Sequence, residues 1–175
     1  HDAAIIDILN PNNWEYYGKF NPSCQNPRVI LQNAGEQPLT NCTIKVWISY
    51  GNFIEYEWTG NLKFLEKEVV EIEVNDPGFW NDYHGLQTFT AQVWNVNGPV
   101  FPQLDEYPNN DVYTTEFEAP ETINGPFYVE FNTNNKAFEN QWRLEDADGN
   151  TMFERTSLLN STNYKDTFDL APGCY

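Results

Sequence analysis

Residues 27–50 read PRVILQNAGEQPLTNCTIKVWISY, and this stretch decides the fold. Arg28 to Gln32 is an apolar, branched run, and from Thr43 to Ile48 polar and apolar side chains alternate, with Ile44, Val46 and Ile48 falling on one face. That period of two is what a half-buried strand requires, because successive side chains of an extended chain point to opposite faces. Between the two runs lies Asn33-Ala-Gly-Glu-Gln-Pro38. Gly35 takes positive φ without penalty and Pro38 cannot donate to a ladder, so the chain is expected to reverse here. The expectation is a β-hairpin with Val29, Leu31, Ile44, Val46 and Ile48 buried, on which two layers are built.

Working outward, Ala3 to Leu9 reads as a first strand, followed by a long Asn- and Pro-containing loop to Pro27. Phe53 to Trp58 alternates rings with Glu, and Thr59-Gly-Asn-Leu62 reads as a turn. Lys67 to Val74 is rich in β-branched residues and favours strand over helix. Phe79 to His84 is a polar and aromatic connection, Gln87 to Asn95 is a strand with Phe89, Ala91 and Val93 inward, and Asp111 to Glu118 closes the set. Seven strands at this spacing predict an all-β, immunoglobulin-like (fibronectin III-like) β-sandwich over residues 1–118. Residues 119–126 have the turn-forming composition of a linker. Beyond them, Phe127 to Asn132, Gln141 to Asp146, Thr151 to Arg155 and Tyr164 to Leu170 predict part of a second β-sandwich over 127–175, with a tight turn at Asp146 to Asn150 in which Gly149 takes positive φ. Helical periodicity is absent.

Two motifs carry a family resemblance. The run VxLxNxGxxPLTNxTIxV, residues 29–46, resembles the second and third strands of CARDB-type immunoglobulin-like domains of secreted, multidomain bacterial surface proteins, particularly those of Bacteroidetes. Leu104 to Asp111, LDEYPNND, is similar to the turn that precedes the last strand of those domains. In the second segment, Leu144-Glu-Asp-Ala-Asp-Gly149 and Leu170-Ala-Pro-Gly-Cys-Tyr175 resemble the opening half of a β-sandwich module common near the C-termini of proteins exported by the type IX system. Residues 132–142 depart from that module's pattern, lacking its TDNYG Asp and Gly. The resemblance implies a non-catalytic spacer or an interaction and adhesion platform, secreted or on the cell surface, whose second module continues past Tyr175. The start at His1, which runs into a strand almost at once, is read as that of a processed or excised segment.

Composition narrows the partners. Nine Lys and Arg against 26 Asp and Glu give a formal net charge of −17, which repels phosphate backbones and argues against nucleic acid. No apolar run is long enough to cross a membrane as a helix, so membrane insertion is not expected. Of three cysteines, Cys24 and Cys42 could bridge only if the approach loop folds back, and the alternative is idle thiols.

Chemistry-bearing constellations are few. A nucleophilic triad needs a histidine base, and only His1 and His84, the latter near Asp82, are available. Metal-ligand spacings such as HExxH and CxxC do not occur, nor do phosphate-cradling glycine loops, and the paired carboxylates are those chance supplies in so acidic a chain. An enzyme is therefore not expected. Asp105, Asn109, Asn110 and Asp111 gather hard oxygens and form a candidate calcium site, the alternative being an Asx-rich turn that bonds its own backbone. No other cofactor is expected. Trp14, Tyr16, Tyr17, Trp80 and Tyr83 fall in loops, where rings either cap the open ends of a sandwich core or bind a ligand or partner. The partners that fit are neighbouring domains of the same polypeptide, another surface protein, or polysaccharide, the last implying a carbohydrate-binding accessory module of a secreted hydrolase.

Overall fold

Most of the period-two runs become strand, although the run expected from Lys67 to Val74 is strand only to Glu71, with Ile72 beyond it still buried in the core. The computed structural model describes residues 1–14, 25–80, 85–98, 105–119, 123–146, 148–171, 173 and 175. Tyr16, Tyr17, Cys24, Asp82, Tyr83, His84, Leu104 and Cys174 lie outside them. The chain divides into two compact units, His1–Glu121 and Thr122–Tyr175.

The first unit contains β1 (Ala3–Asn10), β2 (Arg28–Asn33), β3 (Leu39–Ile48), β4 (Phe53–Leu62), β5 (Lys67–Glu71), β6 (Gly85–Trp94) and β7 (Val112–Ala119). They form a three-stranded sheet in the order β1-β2-β5 and a four-stranded sheet in the order β4-β3-β6-β7, antiparallel throughout. The inward residues of both sheets make one core: Ile5, Ile8, Val29, Leu31 and Val70 from the first, and Ile44, Val46, Ile48, Trp58, Phe89, Ala91, Val93 and Phe117 from the second. This is the sandwich the sequence predicts, with Val29, Leu31, Ile44, Val46 and Ile48 no more than 1% exposed.

The central pair, however, is not a hairpin. β2 pairs with β1 and β5, β3 pairs with β4 and β6, and residues 34–38 carry the chain from one sheet to the other. Both strands alternate toward the same core, and a sandwich accommodates that by placing them in facing sheets as well as by pairing them side by side. The crossing is stitched by buried Asn33. Its amide donates to the carbonyls of Gln37 (2.9 Å) and Leu62 (2.8 Å), and its Oδ1 accepts from the Gly35 amide (3.0 Å). Gly35 is not at positive φ; glycine is needed there because a Cβ would sit 2.6 Å from the backbone nitrogen of Asp2.

A second correction concerns β4, which continues through Thr59-Gly60-Asn61 to Leu62 where a turn is expected. The Trp58 indole folds over Gly60 so closely that no Cβ would fit between them. The connection after β5 holds a short 3₁₀ turn, Pro77–Trp80, which inserts Phe79 into the core.

The second unit has β8 (Phe127–Asn132) paired with β11 (Asn163–Phe168), and β9 (Trp142–Glu145) paired with β10 (Thr151–Arg155). Gly149, at φ +80°, makes the expected β9–β10 turn, where Asp146 accepts from the Asn150 and Asp148 amides and its carboxyl is held below the usual range, chiefly by Asn150. Phe127, Trp142, Phe153 and Phe168 form a small aromatic cluster with centroid separations of 5.0 to 5.9 Å. Arg155 pairs with Asp166 and lies over the Tyr164 ring.

Candidate functional site

One end of the first unit gathers the acidic turn. Asp105 is an Asx turn in geometry: its Oδ1 accepts from the Tyr107 amide (2.9 Å), while Oδ2 accepts from the Ala3 amide at the start of β1 (3.1 Å). Asn110 donates to the Asp2 carboxylate (2.9 Å), and the Asp111 carbonyl accepts from Val93 of β6 (2.9 Å). Asn109 is exposed. The turn thus laces the first strand to the last, and Asp2, outside the predicted set, is part of it. Among the described residues, no three acidic, histidine or cysteine side chains converge closely enough to hold a metal ion.

Asp111 is the odd member. It is 6% exposed, and its Oδ1, like that of Asn110, is buried with no hydrogen-bond partner among the described residues. Burial first, then repulsion from Asp105 and Asp2, raises its pKa to about 7. Cys42 is a buried free thiol, not a bridge, and burial with help from Glu57 pushes its pKa to about 12, which leaves it unreactive at neutral pH.

Of the loop aromatics, Trp80 is half-buried and packs on the core, stacked on Phe89 at 6.5 Å and edge-on to Phe79 and Phe117. It caps the sandwich. Trp14 is 58% exposed. Tyr16, Tyr17 and Tyr83 fall outside the described residues.

The structure draws attention instead to the outer face of the four-stranded sheet, which the sequence reading passed over. Where Phe89, Ala91 and Val93 point inward, Trp94 and Gln92 point out; where Ile44, Val46 and Ile48 point inward, Lys45 and Trp47 point out. A shallow depression of about 190 Å³ opens on this face, lined by Lys45, Glu55, Gln92, Trp94 and Asp111. Lys45 is flanked by Glu55 on β4 and Gln92 on β6. Its ammonium lies 3.5 Å over the Phe53 ring, and among the described residues the Glu55 and Gln92 side chains have no hydrogen-bond or ion-pair partner. The signal was in the strand patterns: once Val93 is inward, Trp94 must be outward.

No protein-family model matches the sequence, and no curated protein matches it. Solved structures do. A domain of what is described as a cell surface protein from Methanosarcina acetivorans, determined by solution NMR, is similar with a TM-score of 0.50 at 12% identity, covering 69% of this chain and 93% of that one. The CARDB domain of a Pyrococcus furiosus protein, crystallised with di-metal ions, is similar with a TM-score of 0.38 at 19% identity, covering 53% of this chain and 71% of that one. At 12% identity the likeness to the first is one of fold alone, and the chain is an all-β protein whose first unit is an immunoglobulin-like sandwich.

Proposed function

We propose that this chain is a non-catalytic extracellular module of the CARDB type, serving as spacer or interaction platform within a larger secreted or surface-anchored bacterial protein. The observation that carries the reading is the tandem arrangement. A seven-stranded sandwich ends at Ala119 and a second set of strands starts at Phe127, the layout of serially joined modules that hold other parts of a polypeptide at a distance. A strongly acidic chain suits such a role, because like charge keeps neighbouring copies apart in solution. The finer assignment, to Bacteroidetes proteins exported by the type IX system, is supported by the motifs at 29–46, 144–149 and 170–175.

The test is an antibody raised against residues 1–175 and applied to intact and to permeabilised cells of the source organism, with the culture medium assayed in parallel. Staining of intact cells or recovery from the medium supports the reading. Signal confined to permeabilised cells overturns it.

A further inference from the structure

Trp94 of β6 stands opposite Thr43 of β3, and Trp47 lies four residues further along β3 on the same outward face. At about 3.4 Å per residue the two positions are therefore about 14 Å apart along the strands, on adjacent strands. Lys45, Gln92 and Glu55 lie between them, around the depression. An aromatic ring at the edge of a shallow depression that holds unengaged amide and carboxylate groups, with a second, half-buried indole further along the same face, fits one ligand chemistry well. Pyranose rings present apolar C–H faces to an indole and hydroxyls, both donors and acceptors, at their edges.

We propose that the outer face of β4-β3-β6-β7 binds an uncharged polysaccharide, its chain running along the strands from Trp94 to Trp47. Trp94, 36% exposed, is the principal stacking platform. Gln92 exchanges hydrogen bonds with sugar hydroxyls in both directions, Glu55 accepts them and Lys45 donates. The ligand is uncharged because the molecule carries −17 and this face itself bears Glu55 and Glu57, so uronic-acid polymers and phosphate backbones are repelled. Phe53 of β4, opposite Trp47, and Val112 of β7, opposite Gln92, are exposed on the same face, but Lys45, Glu55 and Gln92 divide these apolar residues into separate spots, whereas a protein partner would want a continuous apolar centre. The proposal rests on the extracellular reading only for where the ligand is met.

The test is titration of the 175-residue chain with barley β-glucan, konjac glucomannan, xylan and chitin oligosaccharides, with alginate as the anionic comparison, read by tryptophan fluorescence and calorimetry. Saturable binding of at least one neutral glycan, little changed by salt, is expected. Trp94→Ala should weaken it tenfold or more and Gln92→Ala several-fold, while Phe138→Ala, at an exposed ring of the second unit, leaves it unchanged. Absence of binding by every neutral glycan, preference for alginate, or parent-like binding by a Trp94→Ala variant with unaltered melting overturns the proposal. If Trp94→Ala does not fold, Gln92→Ala decides in its place. None of these failures touches the intact-cell staining, so the two readings fall separately.

Discussion

Leu31 has no exposed surface and sits in the middle strand of its sheet, paired with Ile5 on one side and Glu68 on the other. Leu31→Ala should lower stability by about 2–5 kcal/mol, through lost transfer free energy and the cavity left behind. A urea midpoint shifted by less than experimental error would show that the core is not built around this strand. Asp111 gives the opposite kind of prediction. Its folded pKa, about 7, lies above the unfolded value, so between pH 4 and 7 the native state holds a proton that the unfolded chain has released. The unfolded state then binds fewer protons, and this group's contribution falls as pH rises through that window, by at most about 4 kcal/mol. The charges that add to burial in shifting it, Asp105 and Asp2, are acids and act in the same direction. Asp111→Asn should therefore gain on the parent in going from pH 5 to pH 8. Equal parent-variant differences in urea midpoint at the two pH values would refute the assignment.

At the scale of the element, alternation told which residues of each strand face the core, and the structure agrees for Val29, Leu31, Ile44, Val46, Ile48, Phe89, Ala91 and Val93. It did not tell what lies across from them. A strand that buries one face reads identically whether its sequence neighbour is beside it in the sheet or opposite it in the sandwich, and residues 34–38 make a crossing where a hairpin was expected. Gly35 shows why: its role is close approach to the backbone of His1 and Asp2, a contact between segments remote in sequence, and no local pattern encodes that. The same limit hid the sheet's outer face, because Trp47 and Trp94 come onto one face only through the β3–β6 register. Gly35 also supplies a test with a sign. Were the position free, Gly→Ala would stabilise by about 0.4–1 kcal/mol through the unfolded chain. With a Cβ only 2.6 Å from the Asp2 nitrogen, the β1 entry must move, and a loss of about 1–3 kcal/mol is expected from thermal or urea denaturation instead.

At the scale of the whole molecule, the two units differ in how much they bury. In the second, the described hydrophobic residues that are buried are Ala137 and, at 9% exposure, Leu158, while Phe138, Tyr128 and Leu159 are largely exposed. Its four rings cluster, yet among the described residues Trp142 Nε1 is buried without a hydrogen-bond partner and each sheet has two strands. Two-stranded sheets are marginal in water, and ordering costs about 1–2 kcal/mol per residue for the backbone alone. So little burial does not offset that cost over residues 119–175. The Arg155–Asp166 pair does not change the balance, since an ion pair near the surface contributes little. Residues 119–175 expressed alone should therefore give a poorly dispersed amide NMR spectrum and no cooperative melting transition. A well-dispersed spectrum with a sharp transition would show instead that the aromatic cluster of Phe127, Trp142, Phe153 and Phe168 is core enough, and that the unit folds without a partner segment.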